Sequence, residues 1–159
     1  MKKLFILLFF TCMISQNMHV SASEETILSD AIVEACNTYG EKYNICPELL
    51  EALIEKESAG DPKAKRGDCL GLMQISETYH KERAIALGCP DFYDINQNIQ
   101  VGADILSELF EKHEDVYLVL MCYNAGEAKA LKLYEQGLFS RYTVDICKRA
   151  EELERFHGK

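Results

Sequence analysis

Apolar residues recur at helical spacing along most of the chain, whereas no segment shows the alternation typical of paired strands. The recurrence predicts helices over residues 26–39, 47–58, 76–87, 96–110, 115–122, 127–136 and 143–156. Several boundaries carry signals of their own: Gly40 and Gly88 as stops, Pro47 in a first turn, and Ser76 and Asp115 as N-caps. The polar segments 61–70 and 89–94 are predicted to be loops. The pattern therefore indicates an all-α single domain.

The second predicted helix places one carboxylate on its apolar face. At about 100° per residue, its apolar side chains fill an arc centred near about 70°, and Glu57 projects to about 80°. The other three carboxylates of this helix point away from that arc: Glu48, Glu51 and Glu55. Burial and the nearby helix C-terminus both raise a carboxyl pKa, and a protonated carboxyl suits a general acid. The alternative is that the helix frays and Glu57 reaches water.

The first residues of the chain are predicted to be a secretory signal peptide. Lys2 and Lys3 precede an apolar segment over 4–14, and small residues follow up to Ala22. We therefore expect a signal peptide over 1–22, a single mature domain over 23–159, and a secreted location in the cell wall or periplasm of a bacterium. An uncleaved N-terminal anchor is the alternative.

The charge of the chain restricts its partners. Residues 1–22 hold two lysines and no acid, so the formal net charge of −9 for the whole chain becomes −11 for residues 23–159. An acidic protein of this kind is poorly suited to nucleic acid or to anionic membranes. We expect no nucleic-acid partner, no membrane partner after signal cleavage, and a monomer.

Cysteines and histidines bear on disulfides and metals. Apart from Cys12, the cysteines are Cys36, Cys46, Cys69, Cys89, Cys122 and Cys147. An even number in an exported chain favours at least one disulfide, although thiols in helices also pack as small apolar groups. The four histidines are scattered and no Cys-x-x-Cys pair occurs, so we expect neither a metal site nor a cofactor.

Three short motifs bring polar residues into apolar surroundings: Glu57-Ser58, then Gly-Leu-Met-Gln-Ile over 71–75, then Tyr-Asn-Ala-Gly over 123–126. Taken alone, the second is explained by a turn with a satisfied Gln74, and the third by a helix cap. In this order, with Asn98-Ile99 and Gly102 between them and Tyr142 after them, they resemble the soluble lytic transglycosylases, relatives of goose-type lysozyme. The resemblance spans about residues 30 to 150.

The resemblance implies an α-helical, lysozyme-like fold with a groove for peptidoglycan glycan strands. It implies that Glu57 is the acid and base that cleaves the MurNAc–GlcNAc β-1,4 bond, with the sugar's own 6-hydroxyl closing a 1,6-anhydro ring. The substrate-binding residues that it implies are Ser58, Gly71, Met73, Gln74, Tyr123, Asn124 and Tyr142. No metal or cofactor is required. The alternatives are a hydrolytic muramidase on the same fold, for which Asp61 and Asp68 are candidate second acids, and a non-catalytic glycan-binding module.

The sequence departs from the family at one position. Many members carry a serine in an Ala-x-Ser context shortly before Gly-Leu-Met-Gln, where it contacts the N-acetyl group, but residues 64–70 contain no serine. Asp68, Lys65 or a backbone group are the candidate replacements. The chain also has no Trp, so Tyr79 and Tyr123 are candidates to stack on sugars. His80 is either a groove residue or, more simply, a surface histidine.

Overall fold

The computed structural model describes residues 26–159, which form seven helices and three short strands. In chain order the elements are α1 (Asp30–Tyr43), α2 (Pro47–Ser58), β1 (Lys65–Arg66), β2 (Cys69–Leu70), β3 (Ile75–Ser76), α3 (Glu77–Ala86), α4 (Ile95–Lys112), α5 (Val116–Ala125), α6 (Glu127–Tyr134) and α7 (Arg141–Phe156). The all-α prediction is confirmed. The predicted signal peptide lies outside the described residues, and no helix within 26–159 combines the length and apolarity needed to cross a bilayer.

Side-chain N-caps fix the start of four helices. Ser76 and Asp115 cap α3 and α5 as predicted, each accepting a hydrogen bond from the backbone N–H of the third residue of its helix. Asp94 and Ser140 cap α4 and α7 in the same way, and these helices begin slightly before the predicted bounds. Each cap satisfies a backbone N–H that would otherwise lack a partner, which stabilises a helix by about 1 kcal/mol.

Gly40 lies inside α1, so the prediction that it ends the helix is wrong. The helix runs to Tyr43, and Asn44 closes it with a left-handed backbone at φ 54°. A Cβ atom at Gly40 would lie 2.7 Å from the carbonyl oxygen of Ile45 and 3.0 Å from the Pro47 ring. Glycine is therefore required here because the chain turns back against its own helix on the way to α2.

The helix α2 is buried on nearly every side, because α1 and α7 both pack against it. The prediction that Glu57 alone would face the interior is therefore wrong: Glu48 and Glu51 are both 0% exposed. Glu55 is also largely covered and pairs with Arg149 of α7 at 2.6 Å. The periodicity of α2 identified one covered face, but it gave no sign that a helix from the far end of the chain covers the opposite one.

The buried carboxyls of α2 are accommodated in two different ways. Glu48 accepts hydrogen bonds from Lys159 at 2.6 Å and His157 at 2.9 Å. Burial alone would raise the pKa of Glu48, but its hydrogen bonds outweigh burial and lower the pKa to about 2. Neither carboxyl oxygen of Glu51 has a hydrogen-bond partner within the described residues, and burial raises its pKa. Burial thus biases Glu51 toward its protonated form.

The segment 61–76 contains a small antiparallel sheet that the sequence did not reveal. Its strands have two residues each, too few for an alternating pattern to be recognised. The pairing sets Arg66 opposite Cys69, and Cys69 opposite Ser76, so these three residues form a row across the sheet. The loop predicted over 61–70 is therefore partly strand.

The buried side chain of Asn98, in α4, ties the chain that follows β2 to the helical core. Its amide nitrogen donates to the carbonyl oxygens of Leu70 at 3.0 Å and Phe92 at 2.8 Å. Its amide oxygen accepts from the backbone N–H of Met73 at 2.8 Å. Gly71 fits in this confined space with φ +73°. A Cβ atom there would lie 2.1 Å from the Phe92 carbonyl oxygen.

The six cysteines among the described residues are all free thiols. The expected disulfide is therefore absent from the structure. Cys36 and Cys122 are buried within the helical core, where a thiol packs as a small apolar side chain.

Gly71→Ala is expected to destabilise the fold far more than Gly67→Ala. Both glycines have a positive φ, which costs a side chain about 1–2 kcal/mol. Only Gly71 also meets backbone and Asn98 atoms, whereas a Cβ atom at Gly67 has nothing within 4 Å. The additional clash should cost about 1–3 kcal/mol. Urea unfolding of both variants measures the difference, and equal losses would contradict the role given to Gly71.

Candidate active site

A cleft of about 670 Å³ lies between the C-terminal end of α2, the small sheet, and helices α3, α4 and α5. The polar residues in its wall come from separate parts of the chain, and they include Glu57, Arg66, Gln74, His80, Tyr123 and Asn124. Four of the predicted site residues are therefore brought to one place or to its immediate edge: Glu57, Gln74, Tyr123 and Asn124. Tyr142 reaches the same place from α7.

Glu57 lies in the last turn of α2 and is half-buried. Its carboxyl oxygen Oε1 accepts a hydrogen bond from the Tyr142 hydroxyl at 2.5 Å. Burial raises the pKa of Glu57, and this effect exceeds the opposing effects of the Tyr142 hydrogen bond and of the charges on Arg66 and Lys56. The carboxyl is therefore biased toward its protonated form, as the sequence predicted. The Tyr142 hydroxyl lies where it can also stabilise the carboxylate.

The two tyrosines near Glu57 do different things. Burial, followed by the charge of Glu57, raises the pKa of Tyr142, so its hydroxyl remains a donor to Glu57. The Tyr123 hydroxyl instead donates to the carbonyl oxygen of Met73 at 2.8 Å. Tyr123 thus lines the cleft while its polar end holds the segment beneath it. Asn124 follows it at the end of α5 and is exposed.

Three predicted substrate-binding residues do not line the cleft. Met73 is 0% exposed and Gly71 is buried, so both lie beneath the cleft wall and shape it from below. The Ser58 hydroxyl donates to the Ile54 carbonyl oxygen at 3.2 Å. Ser58 borders an adjoining depression of about 340 Å³, which shares Glu57, Arg66 and Gln74 with the cleft. The motif containing Met73 and Gly71 is therefore important for packing, and Gln74 is its member at the cleft.

Gln74 is held in a strained and buried position. Its backbone is left-handed at φ +48°, and the residue is only 8% exposed. Its amide nitrogen donates to the carbonyl oxygens of Gly71 at 2.9 Å and Ala64 at 3.2 Å, which fixes the orientation of the amide. Its amide oxygen has no hydrogen-bond partner within residues 26–159. Strain of this kind is found mainly at functional sites.

The other carboxylates around the cleft are already neutralised or hydrogen-bonded. Glu108 accepts hydrogen bonds from Lys112 and Arg83, which lower its pKa to about 2. Asp68 accepts from the Ser76 hydroxyl at 2.6 Å. Asp61 accepts from a backbone N–H in its own turn at 2.8 Å. Glu57 is therefore the acid of the cleft whose pKa is raised, and neither Asp61 nor Asp68 lines the cleft with it.

Arg66 is a cleft residue that the sequence analysis missed. Its guanidinium nitrogen Nη2 donates to the backbone carbonyl oxygen of Glu57 at 2.9 Å. Asp68 and Lys65, the candidate replacements for the serine that many family members carry, do not line the cleft. Arg66 lies two residues after Ala64, at the place of the serine in the Ala-x-Ser context, and this position was the available signal.

The rim of the cleft includes Tyr79 and His80, at the start of α3. Tyr79 is 83% exposed, so its ring is free to meet a ligand. His80 is half-buried, and burial followed by the charge of Arg83 lowers its pKa, which favours a neutral imidazole. Both residues therefore lie where the sequence analysis considered them, beside the cleft.

Metal-binding groups come together at the opposite end of α2. The Cys46 thiol lies 3.0 Å from Glu48 and 3.2 Å from Glu154. Among residues 26–159, these are the three side chains with metal-ligating atoms that lie close to one another. Glu48 is already bound by Lys159 and His157, and nine residues of helix, about 13 Å, separate it from Glu57. The cluster therefore has no part in the chemistry of the cleft.

The chain is similar in sequence to a known domain family and to several known proteins. The profile of the Transglycosylase SLT domain family matches residues 34–137. A transglycosylase of Enterobacteria phage PRD1 is 34% identical over 90 residues, covering 56% of this chain and 32% of the phage protein. Membrane-bound lytic murein transglycosylase E of Buchnera aphidicola is 29% identical over 115 residues, covering 63% of this chain and 52% of that protein. Protein IpgF of Shigella flexneri is 28% identical over 115 residues, covering 65% of this chain and 75% of IpgF.

The helical fold, with the half-buried Glu57 carboxyl in its cleft, is that of a lysozyme-like domain. More specifically, the chain belongs to the Transglycosylase SLT domain family, because the family profile matches well over half of it. The resemblance inferred from the motifs is confirmed. The chain spans about a third of the length of the phage relative and about half of the Buchnera relative. Tyr142 lies beyond the matched residues, so its place at Glu57 is a finding of the structure.

Tyr142→Phe is expected to raise the pKa of Glu57 further. The hydroxyl of Tyr142 donates to the carboxyl and stabilises its charged form, so its loss favours the proton. Tyr123→Phe is the matched control. It also removes a tyrosine hydroxyl near Glu57, but this hydroxyl donates to the carbonyl oxygen of Met73. Carbon-detected NMR titration of the Glu57 carboxyl measures both variants. Equal shifts in the two variants, or none in Tyr142→Phe, would contradict the assigned hydrogen bond.

Proposed function

We propose that this protein is a peptidoglycan lytic transglycosylase, which cleaves the MurNAc–GlcNAc β-1,4 bond and leaves 1,6-anhydro-MurNAc ends. The observation that carries the proposal is the Glu57 carboxyl, half-buried in an open cleft, with a raised pKa and a Tyr142 hydroxyl at 2.5 Å. Membership of the Transglycosylase SLT domain family supports it, as do relatives named transglycosylases.

In the first step, protonated Glu57 donates its proton to the glycosidic oxygen. The bond between that oxygen and the anomeric carbon breaks, and the leaving sugar departs as an alcohol. Glu57 becomes a carboxylate in the process, and the Tyr142 hydroxyl stabilises that new charge. The N-acetyl group of the substrate supports the positive charge that develops at the anomeric carbon.

In the second step, the Glu57 carboxylate accepts the proton of the 6-hydroxyl of the same sugar. The oxygen of that hydroxyl bonds to the anomeric carbon, which closes the anhydro ring and regenerates protonated Glu57. No water is consumed, so one acid can serve both steps. The nucleophile is already part of the substrate, which gives it the advantage of proximity.

The raised pKa of Glu57 predicts how the activity depends on pH. The first step requires the protonated carboxyl, so activity should fall as the pH rises through the pKa of Glu57. Glu108 is held ionised by two cations, with a pKa of about 2, and is a poor second base or nucleophile. This arrangement favours a mechanism with a single acid.

The proposed substrate places the protein outside the cytoplasm, where peptidoglycan is found. The predicted signal peptide over 1–22 and a relative named murein transglycosylase support this location. Glu57 and the Tyr142 hydroxyl that contacts it belong to the same chain, and we propose that the domain acts as a monomer on glycan strands, without metal or cofactor.

Glu57→Gln is expected to abolish cleavage of purified peptidoglycan, with a loss of about 10²–10⁴-fold or more. Glutamine keeps the shape of the side chain but has no proton to donate to the leaving oxygen. Product release followed by mass spectrometry measures the effect. Wild-type products should be lighter by one water than those of a muramidase, and products of full hydrolytic mass would replace the proposal with the hydrolase.

The melting temperature of Glu57→Gln provides a second test. Folding raises the pKa of Glu57, so its contribution to stability is present below the pKa of the unfolded carboxyl and is lost as the pH rises through the folded pKa. Gln should therefore match wild type at low pH and exceed it at neutral pH. Glu55→Gln is the matched control, because it breaks the pair with Arg149 and should lower the melting temperature while retaining cleavage.

A further inference from the structure

Arg66 is placed beside the catalytic carboxyl by both sheet and helix. It ends β1, in the row with Cys69 and Ser76, and all three line the cleft. Its Nη2 donates to the Glu57 carbonyl oxygen at 2.9 Å, which anchors the guanidinium over the end of α2. A guanidinium has five N–H donors, so most of them remain available after this contact.

Arg66 also differs from every other arginine of the chain in its partners. Four arginines each have a carboxylate within ion-pair distance: Arg83 with Asp104 and Glu108, Arg141 with Asp145, Arg149 with Glu55, and Arg155 with Glu151. No carboxylate lies within that distance of Arg66 among residues 26–159. The chain has 26 acidic and 17 basic residues, so an arginine without a carboxylate partner is unusual in it.

The positive charge of Arg66 is directed at the reacting end of the cleft. It acts on Glu57, Cys69 and Tyr142, and it opposes the rise of the pKa in each of them. A planar guanidinium with free N–H groups recognises a carboxylate by two parallel hydrogen bonds. The cleft therefore offers an anion-binding group next to the bond that Glu57 would cleave.

We propose that Arg66 binds a carboxylate of the glycan strand, carried by the lactyl arm of MurNAc, and so selects which bond of the polymer enters the site. The inference rests on the proposed function. The two alternating sugars of peptidoglycan differ in this arm, since GlcNAc has a neutral hydroxyl in its place. The carboxylate is the lactyl group itself where the peptide is absent, or a carboxylate of the peptide where it is present.

The alternative role for Arg66 is to position or tune Glu57 without touching substrate. The two roles make different demands on the substrate. Tuning changes the rate on every strand by the same factor, because it acts through Glu57. Recognition changes the rate only on strands that carry the carboxylate.

The test uses three substrates: peptide-free strands with the lactyl carboxylate free, the same strands with it converted to a methylamide, and peptide-bearing strands. Wild type should show a KM about tenfold lower for the free carboxylate than for the methylamide, the size expected of a charge-assisted pair. Arg66→Gln should remove that ratio, and Arg66→Lys should restore part of it. Arg141→Gln is the matched control, since it removes an arginine that is exposed and outside the cleft wall.

The peptide-bearing strands identify the source of the carboxylate. If Arg66→Gln raises the KM of these strands as much as that of the free-carboxylate strands, the peptide supplies the anion there, and the inference holds for both sources. If it raises only the KM of the peptide-free strands, the lactyl group is the ligand. A ratio unchanged by Arg66→Gln, with all substrates slowed alike, would overturn the inference and leave Arg66 a positioning residue.

Binding measurements separate this inference from the proposed function. Dissociation constants of the free-carboxylate and methylamide strands are measured with Glu57→Gln and with the double variant Glu57→Gln, Arg66→Gln. Strands that wild type binds but does not cleave would contradict the proposed function, while the ratio of dissociation constants still tests Arg66. Strands that no variant binds would overturn both.

Discussion

Three hydrogen bonds made by the buried Asn98 side chain hold the segment on which the cleft is built. They fix the backbone at Leu70, Met73 and Phe92, and they leave Gly71 too little room for a side chain. Two features of the cleft wall depend on this anchor. Gln74 takes its strained backbone directly after it, and the Tyr123 hydroxyl binds the Met73 carbonyl that it positions.

Three elements, α2, β1 and α7, determine the electrostatics of Glu57. Burial at the end of α2 favours the neutral acid, whereas a hydroxyl from α7 and a guanidinium from β1 favour the anion. An acid that must give up a proton and then recover it needs both influences, because either one alone would trap it in a single state. The structure keeps burial as the larger of the two and leaves the donors in place for the moment when the charge forms.

The predictable features of this protein are those encoded locally. The helices followed from periodicity, and the caps at Ser76 and Asp115 from single residues. The placement of Glu57 at the cleft followed from its projection and from the motifs. The features that escaped prediction depend on tertiary contacts or on very short elements. The contact of α7 with α2, which covers Glu48 and Glu51, cannot be seen in the periodicity of α2. The two-residue strands have no pattern to recognise, and the role of Arg66 depends on its contact with the Glu57 carbonyl.

The Glu57–Tyr142 contact joins residues 85 positions apart, and other pairs cross the same boundary between α2 and α7. Glu55 meets Arg149, and Lys56 meets Asp145. The last helix of the fold therefore completes the neighbourhood of the acid. During synthesis, Glu57 emerges long before its hydroxyl partner, and the two meet only when α7 docks. The environment of the Glu57 carboxyl is thus completed only by a tertiary contact, and α2 alone cannot provide it.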